Sequence, residues 1–441
     1  MKKGLIWLLL NFYCLTSSLA QTKEQLISKE DLFFLEGITR AVLDTSRIHP
    51  GQSLPDPFGK NNTGGTLIRP GGRSTYPSFW IRDYAMSLET GFVKKEEQKH
   101  MLWLTAATQC DQTWITKGGS MVPLGAIADH IRVDDSLPIY FPGTYDHAAQ
   151  GTAEYGTLPP YCDQFFFIHM AHFYVQNFGT TSVLLQEIKG TRLIDRLEQA
   201  FKVPPCGDDQ LVLATDTFRG VDFGFRDAIT ITGRLSFPSI LKYQAAVQLS
   251  SLFQKLKNKA KAGHYEKIAG KIKAALPALI DGNGMLKASD GKSAQADVWS
   301  TAIAIYMNIL DRQSALKASS HLAQAYLSGK LAYKGAIRHI IHGEDFNKLT
   351  AWEQAIPPLN QYQNGAYWHT PTGWVALAIA RVNANAARKL IKEFIQDLKD
   401  KDFRKGANFG APYECFNTSS YAAGPVYLTS VSCPFIVLKT K

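Results

Sequence analysis

Along most of this chain apolar residues return every three to four positions, the spacing that gives a helix one buried face. LIDRLEQAF and ALAIARVNANAARKLIKEFIQDL show it over several turns. The pattern predicts helices over 29–46, 80–92, 97–113, 121–132, 163–177 and 181–201. It continues over 236–258, 263–279, 295–309, 313–328, 372–383 and 386–399, with a last apolar segment at 422–438. Period-two alternation is nearly absent, apart from short pairs in the loops. Turns within several helix pairs are short, whereas the connections 133–162, 202–235 and 329–371 are long and rich in Gly, Pro and aromatics. Helical hairpins with short turns at one end and long loops at the other predict a closed α/α toroid. Loops of that length inside a compact domain tend to be functional.

The first residues depart from this pattern. Lys2 and Lys3 precede an apolar run from Leu5 to Leu15, and Leu19-Ala20 ends on a small residue. This is the layout of a signal peptide over 1–20, leaving a single domain over 21–441 in an exported protein, secreted or periplasmic. The run is too short to span a bilayer, so no transmembrane span is expected in the mature chain. Loss of two lysines takes the formal charge from +10 to +8. The lysines are scattered and no arginine-rich arm occurs, which argues against nucleic acid as a partner. Lys255, Lys257, Lys259 and Lys261 form a basic run that reads as a solvated face. Cys110, Cys162, Cys206, Cys415 and Cys433 have no metal-ligand spacing, and an odd number leaves at least one free thiol. His169 and His172 stand three apart without an acid to complete a metal set, and read as core residues. The sequence sets no oligomeric state.

Candidate chemistry lies in five segments. PSFWIRDY supplies Trp80 as a flat face for a sugar ring, with Arg82 and Asp83 as directed hydroxyl contacts. Asp163 follows Pro159-Pro160 at a helix start, where it can cap and also touch substrate. RGVDFGFRD holds Asp222, Arg226 and Asp227. Its phenylalanines would raise a carboxyl pKa, as a general acid requires, and a salt bridge to Arg226 would lower it. The residues alone leave Asp222 and Asp227 both open as the acid. KLTAWEQAIPPLNQYQNGAYWHTPTGW adds Glu353 as a further acid, Gln363 and Asn364 as amide contacts, and Trp368 and Trp374 as stacking surfaces. APYECFN places Glu414 among aromatic and uncharged neighbours, where it could activate water.

In that order these motifs resemble the six-hairpin, (α/α)6-barrel glycosidases, especially the clan of trehalase and the processing α-glucosidase. The resemblance spans most of 30–438. RGVDFGFR is similar to the segment carrying the general acid, which implies that role for Asp222, with Val221 where a Trp is usual. PYECFN is similar to the segment carrying the general base, which implies Glu414, with Cys415-Phe416 interrupting it. WIRD and YQNGAYWHTPTGW are similar to the sugar-contact elements. The resemblance implies an all-α (α/α)6 barrel with long functional loops. It also implies inverting hydrolysis, exo-acting on an α-linked oligosaccharide or glycan, without cofactor. Three alternatives use related barrels or surfaces: a polysaccharide lyase working through His130, His147, Tyr145 or Tyr161, an unsaturated-uronide hydrolase, and a non-catalytic carbohydrate-binding protein.

Overall fold

The computed structural model describes residues 26–73, 75–216 and 226–440. Those residues form twelve α-helices. One set is α1 (Lys29–Ser46), α3 (Lys95–Ala107), α5 (Leu193–Lys202), α7 (Lys259–Ala275), α9 (Arg312–Leu327) and α11 (Ala384–Asp400). Alternating with it are α2 (Ile81–Ser87), α4 (Tyr161–Phe178), α6 (Ser236–Lys255), α8 (Val298–Tyr306), α10 (Thr372–Ala380) and α12 (Thr429–Lys439). The even-numbered helices close a ring: each packs on the next, and α12 returns to α2. The odd-numbered helices lie outside it, with α7 on α6, α11 on α10 and α1 on α12. The architecture is an all-α (α/α)6 toroid.

Residue pattern explains which helix lies where. Outer α11 buries Ala386, Ala387, Leu390, Ile391, Phe394, Ile395 and Leu398, a stripe at three-to-four spacing, and exposes lysines on its other side. Inner α10 (TGWVALAIA) is buried nearly all round, because ring neighbours and an outer helix cover every face. Starts are fixed by side-chain caps. Ser28 accepts from the Asp31 amide at 3.0 Å, Asp311 from Gln313 and Ser314 at 2.9 and 3.0 Å, and Asn383 from Ala386 at 3.0 Å. Each such cap stabilises its helix by about 1 kcal/mol.

Three predicted segments are not formed as drawn, and in the last, 422–438, Ala422–Pro425 is a strand before α12 begins. The 121–132 run is loop and strand: Met121–Val122 pairs with Trp114–Ile115, and His130–Arg132 pairs with Ser78–Trp80. Pro123 and Gly125 break it, Gly125 at φ +87° where a Cβ would meet Gln199. Apolar residues there are buried by packing, so their spacing mimicked a helix. The 181–201 run divides into a 3-10 turn, a hairpin pairing Glu187–Ile188 with Thr191–Arg192, and α5. The sheets are all small, and they sit in the connections. Cys110, Cys162, Cys206, Cys415 and Cys433 are free thiols. No helix of the described residues is long and apolar enough to cross a membrane.

Candidate active site

Ring helices present their first turns at one mouth of the toroid. Ser236 of α6 bonds Ser300 of α8 at 2.8 Å there, and Thr370 beside α10 bonds Thr429 of α12 at 3.1 Å. Helix N-termini carry partial positive charge, so this mouth favours acidic side chains. Asp83 lies in the first turn of α2, Asp163 in that of α4, and Asp297 caps α8.

Arg82 sits at the centre of one buried network. Its guanidinium pairs with Asp129 and with Asp163, the latter at 3.3 Å. Asp129 also holds His130 Nδ1 at 2.7 Å, and the His130 ring stacks on Trp80 at 4.4 Å between centroids. Strand pairing of Trp80 with His130 sets that stack. Asp83 accepts from the Tyr427 hydroxyl at 2.7 Å. Among the described residues, buried Arg82 Nε and Asp163 Oδ1 have no hydrogen-bond partner, and so keep capacity for a bound hydroxyl.

Glu414 faces this network from the strand Tyr413–Phe416, paired with Ala422–Pro425. Its side chain is 1% exposed. The Tyr76 hydroxyl donates to Glu414 Oε2 at 2.5 Å, and the Tyr362 hydroxyl also favours the ionised carboxylate. Tyr76 in turn lies edge-on to Trp80 at 5.2 Å. Across the strand pair stands Gly424, at φ +54°, where a Cβ would come within 2.5 Å of Glu414 Oε2. Glycine there leaves room for the carboxylate.

Burial dominates the electrostatics. It pushes Glu414 up to about 8, with Asp83 and Asp227 adding repulsion and the two tyrosines opposing it. Burial raises Asp163 to about 7 and Asp83 to about 6, in both cases against the attraction of Arg82. Asp227 is raised by burial, again opposed by Arg82. His130 falls to about 3, from burial and from Arg82, and is neutral. Arg82 is the cation that Asp83, Asp163 and Asp227 share.

A pocket of about 410 Å³ opens beside this cluster, lined by Tyr76, Trp80, Asp129, His130, Asp227 and Tyr362 among others. It has the size, ring surfaces and acceptors for a sugar. Of the predicted residues, Trp80 and Asp227 line it, while Arg82, Asp83, Asp163 and Glu414 form the buried charge around it. Gln363 is committed to protein: its amide nitrogen donates to Asp227 and its oxygen accepts from the Ala228 amide at 2.6 Å. It positions Asp227. Asp222 lies outside the described residues.

The other predicted residues have structural partners. Arg226 pairs with Asp297 at 2.6 Å and stacks over Trp352 at 4.8 Å. Glu353 accepts from the Thr232 amide and hydroxyl at 3.1 and 2.8 Å. Asn364 accepts from the Ala351 amide and donates to the Pro357 carbonyl, both at 2.8 Å, clamping its loop. Trp368 is fully buried, edge-on to Trp299. Trp374 lines a different cavity, along the ring axis with Glu89, His169 and Tyr306. Tyr76, Tyr362, Tyr427 and Asp129 were not singled out in the sequence. The adjacency of Asp129 to His130 and of Tyr76 to PSFWIRDY was the available signal. The described residues hold no group of three or more His, Cys, Asp or Glu able to bind a metal.

A closed ring of six helical hairpins with an acidic, aromatic pocket at its N-terminal mouth defines the class. Neither a family model nor a curated protein matches the chain in sequence. Solved structures match in fold. A rhamnosidase from Klebsiella oxytoca with rhamnose bound aligns at TM-score 0.56 and 12% identity, over 93% of this chain and 64% of that one. Mannosylglycerate hydrolase from Thermus thermophilus, in complex with glucose, aligns at 0.54 and 12%, over 91% and 99%. Hormoconis resinae glucoamylase aligns at 0.57 and 13%, over 92% and 73%. The chain therefore has the six-hairpin toroid fold found in glycosidases of several kinds.

Proposed function

We propose that the protein is an exported glycoside hydrolase that cleaves neutral, α-linked oligosaccharides from a chain end with inversion. The observation that carries this reading is Glu414, a buried carboxylate held by the Tyr76 hydroxyl beside the Arg82 network. Glu414 acts as general base on a water attacking C1. The general acid comes from the 222–227 segment and protonates the departing oxygen. The sequence resemblance supports Asp222 in that role, and Asp227 lines the pocket under the control of Gln363. An inverting pair stands about 6.5–9.5 Å apart, with the water between. Arg82, Asp83 and Asp163 hold sugar hydroxyls, and Trp80 with Tyr76 backs the ring. The basic head and apolar run of 1–20 support export.

The charge balance favours this over the lyase and unsaturated-uronide readings. Both would bring a carboxylate into a pocket whose guanidinium is already engaged by Asp129 and Asp163. Acidic walls suit a neutral sugar and the positive charge that develops at C1. ¹H NMR of neutral α- and β-linked oligosaccharides incubated with wild type, Asp222→Asn, Asp227→Asn and Glu414→Gln tests the assignment. Expected is first release of the inverted anomer, lost in Glu414→Gln and in Asp222→Asn. Retention of configuration would overturn the mechanism, and loss in Asp227→Asn alone would move the acid to Asp227.

A further inference from the structure

A second cleft, of about 440 Å³, opens on the outer wall between α5, α6 and α7 and shares no lining residue with the pocket at the mouth. Its charged lining is cationic: Lys202 at the end of α5, Lys242 on α6, and Lys267 and Lys271 on α7, with His264 on the same α7 face. The spacing 264, 267, 271 is one side of a helix. Among the described residues no aspartate or glutamate lines this cleft.

Lys242 sets the cleft apart from an ordinary lysine-rich surface. Its residue is 2% exposed. Among the described residues no carboxylate lies within ion-pair distance of it. Its ammonium donates to Gln210 Oε1 at 3.4 Å, a long bond to a neutral acceptor shared with the Cys206 thiol at 3.8 Å. The carboxylates nearby are engaged elsewhere: Asp209 by Arg234 at 2.8 Å, and Glu198 by Lys261 and Tyr265 at 2.7 and 2.8 Å. A buried ammonium without an anion is costly to hold, and in native proteins such charges are normally paired. Phe201 lies beneath it, 5.5 Å from ammonium to ring centroid, and gives the cleft an apolar floor.

We propose that this cleft binds a phosphate- or sulfate-type oxyanion, free or carried on a sugar ring, with Lys242 as its buried counter-charge and Lys267 and Lys271 as the outer clamp. Such an ion supplies the acceptors that Lys242 lacks, and the partly open rim admits it from solvent. The site is independent of the hydrolase reading.

Calorimetric titration of the protein with inorganic phosphate, at constant ionic strength in chloride, tests this. Wild type is expected to bind saturably, and its Tm to rise with phosphate as mass action requires. Lys242→Met keeps the aliphatic stem over Phe201 and removes the unpaired charge. It is expected to fold, with an undiminished Tm in chloride, and to bind phosphate at least tenfold more weakly. The surface double variant Lys267→Gln/Lys271→Gln is expected to weaken binding as well. Tighter binding of glucose 6-phosphate than of phosphate would assign the ring-borne form, and equal binding the free ion. An identical phosphate response in wild type and Lys242→Met, or none in wild type, overturns the proposal.

Discussion

Tyr76 and Glu414 form the contact on which the proposed chemistry turns. The tyrosine hydroxyl stabilises the ionised carboxylate, so its loss leaves Glu414 with a still higher pKa. A base works in its ionised form. Tyr76→Phe is therefore expected to move the acid limb of the pH–rate profile to higher pH, and to lower kcat/KM at pH 7 by tenfold or more. The second figure follows from the roughly 1.5–3 kcal/mol of a hydrogen bond to a charged group. A profile taken from pH 5 to 10 checks both. The same burial makes Glu414 a stability liability. Below the ordinary glutamate pKa both folded and unfolded states are protonated, and the group contributes nothing. Between there and about 8 the unfolded chain gives up its proton and the folded chain retains it, so stability falls as pH rises. Glu414→Gln is thus expected to raise Tm by a few degrees at pH 8 and to leave it unchanged at pH 4, as calorimetric scans at the two pH values would show. Both acids of the proposed reaction were visible in the sequence as carboxylates among aromatics. The tyrosine hydroxyls around Glu414 and Asp83 were not, because Tyr76, Tyr362 and Tyr427 reach the site from three separate loops.

Helix starts bear the next level of the design. Asp297 caps α8 through the Trp299 amide at 3.0 Å and also pairs with fully buried Arg226. Asp297→Asn keeps an oxygen for the cap and removes the negative charge paired with the buried Arg226 guanidinium. The expected cost is about 3–5 kcal/mol, the range for breaking one side of a buried ion pair, read as a fall in Tm and in urea midpoint. This pair also explains why Arg226 was misleading in the sequence: RGVDFGFRD has the composition of a site, and its arginine turns inward onto Trp352. Most helices were legible because outer helices such as α11 keep a strict apolar stripe. The run at 121–132 was not, since loop residues buried by long-range packing show the same spacing as a helix face. Glu353 and Asn364 illustrate the same limit. Their donors and acceptors suit a sugar equally well, and only the position of Thr232, Ala351 and Pro357 shows that they are spent on protein partners.

Closure of the ring is a property of the whole chain. α12 packs on α1 and α2, so the last helix seals the first hairpin. Val437 lies against Gly373 of α10, where a Cβ would approach within 2.9 Å. A chain ending at Leu428 would leave the buried faces of α1, α2 and α10 open to water. It is expected to lose near-UV circular dichroism and a cooperative thermal transition while keeping helical far-UV signal. By itself the sequence determined that the chain is helical and that its helices come in hairpins, and it singled out Glu414 and the Arg82-Asp83 pair, which the fold brings to one buried cluster. These follow from local periodicity and from residue types within one segment. Tertiary structure alone decided that Asp129 and Asp163 share the guanidinium of Arg82, with Asp227 within its electrostatic reach, and that Trp368 and Trp374 lie away from the pocket. It alone left Lys242 buried without an anion. Each of these depends on which distant segments meet at one mouth or wall of the ring, and local sequence spacing carries no record of that meeting.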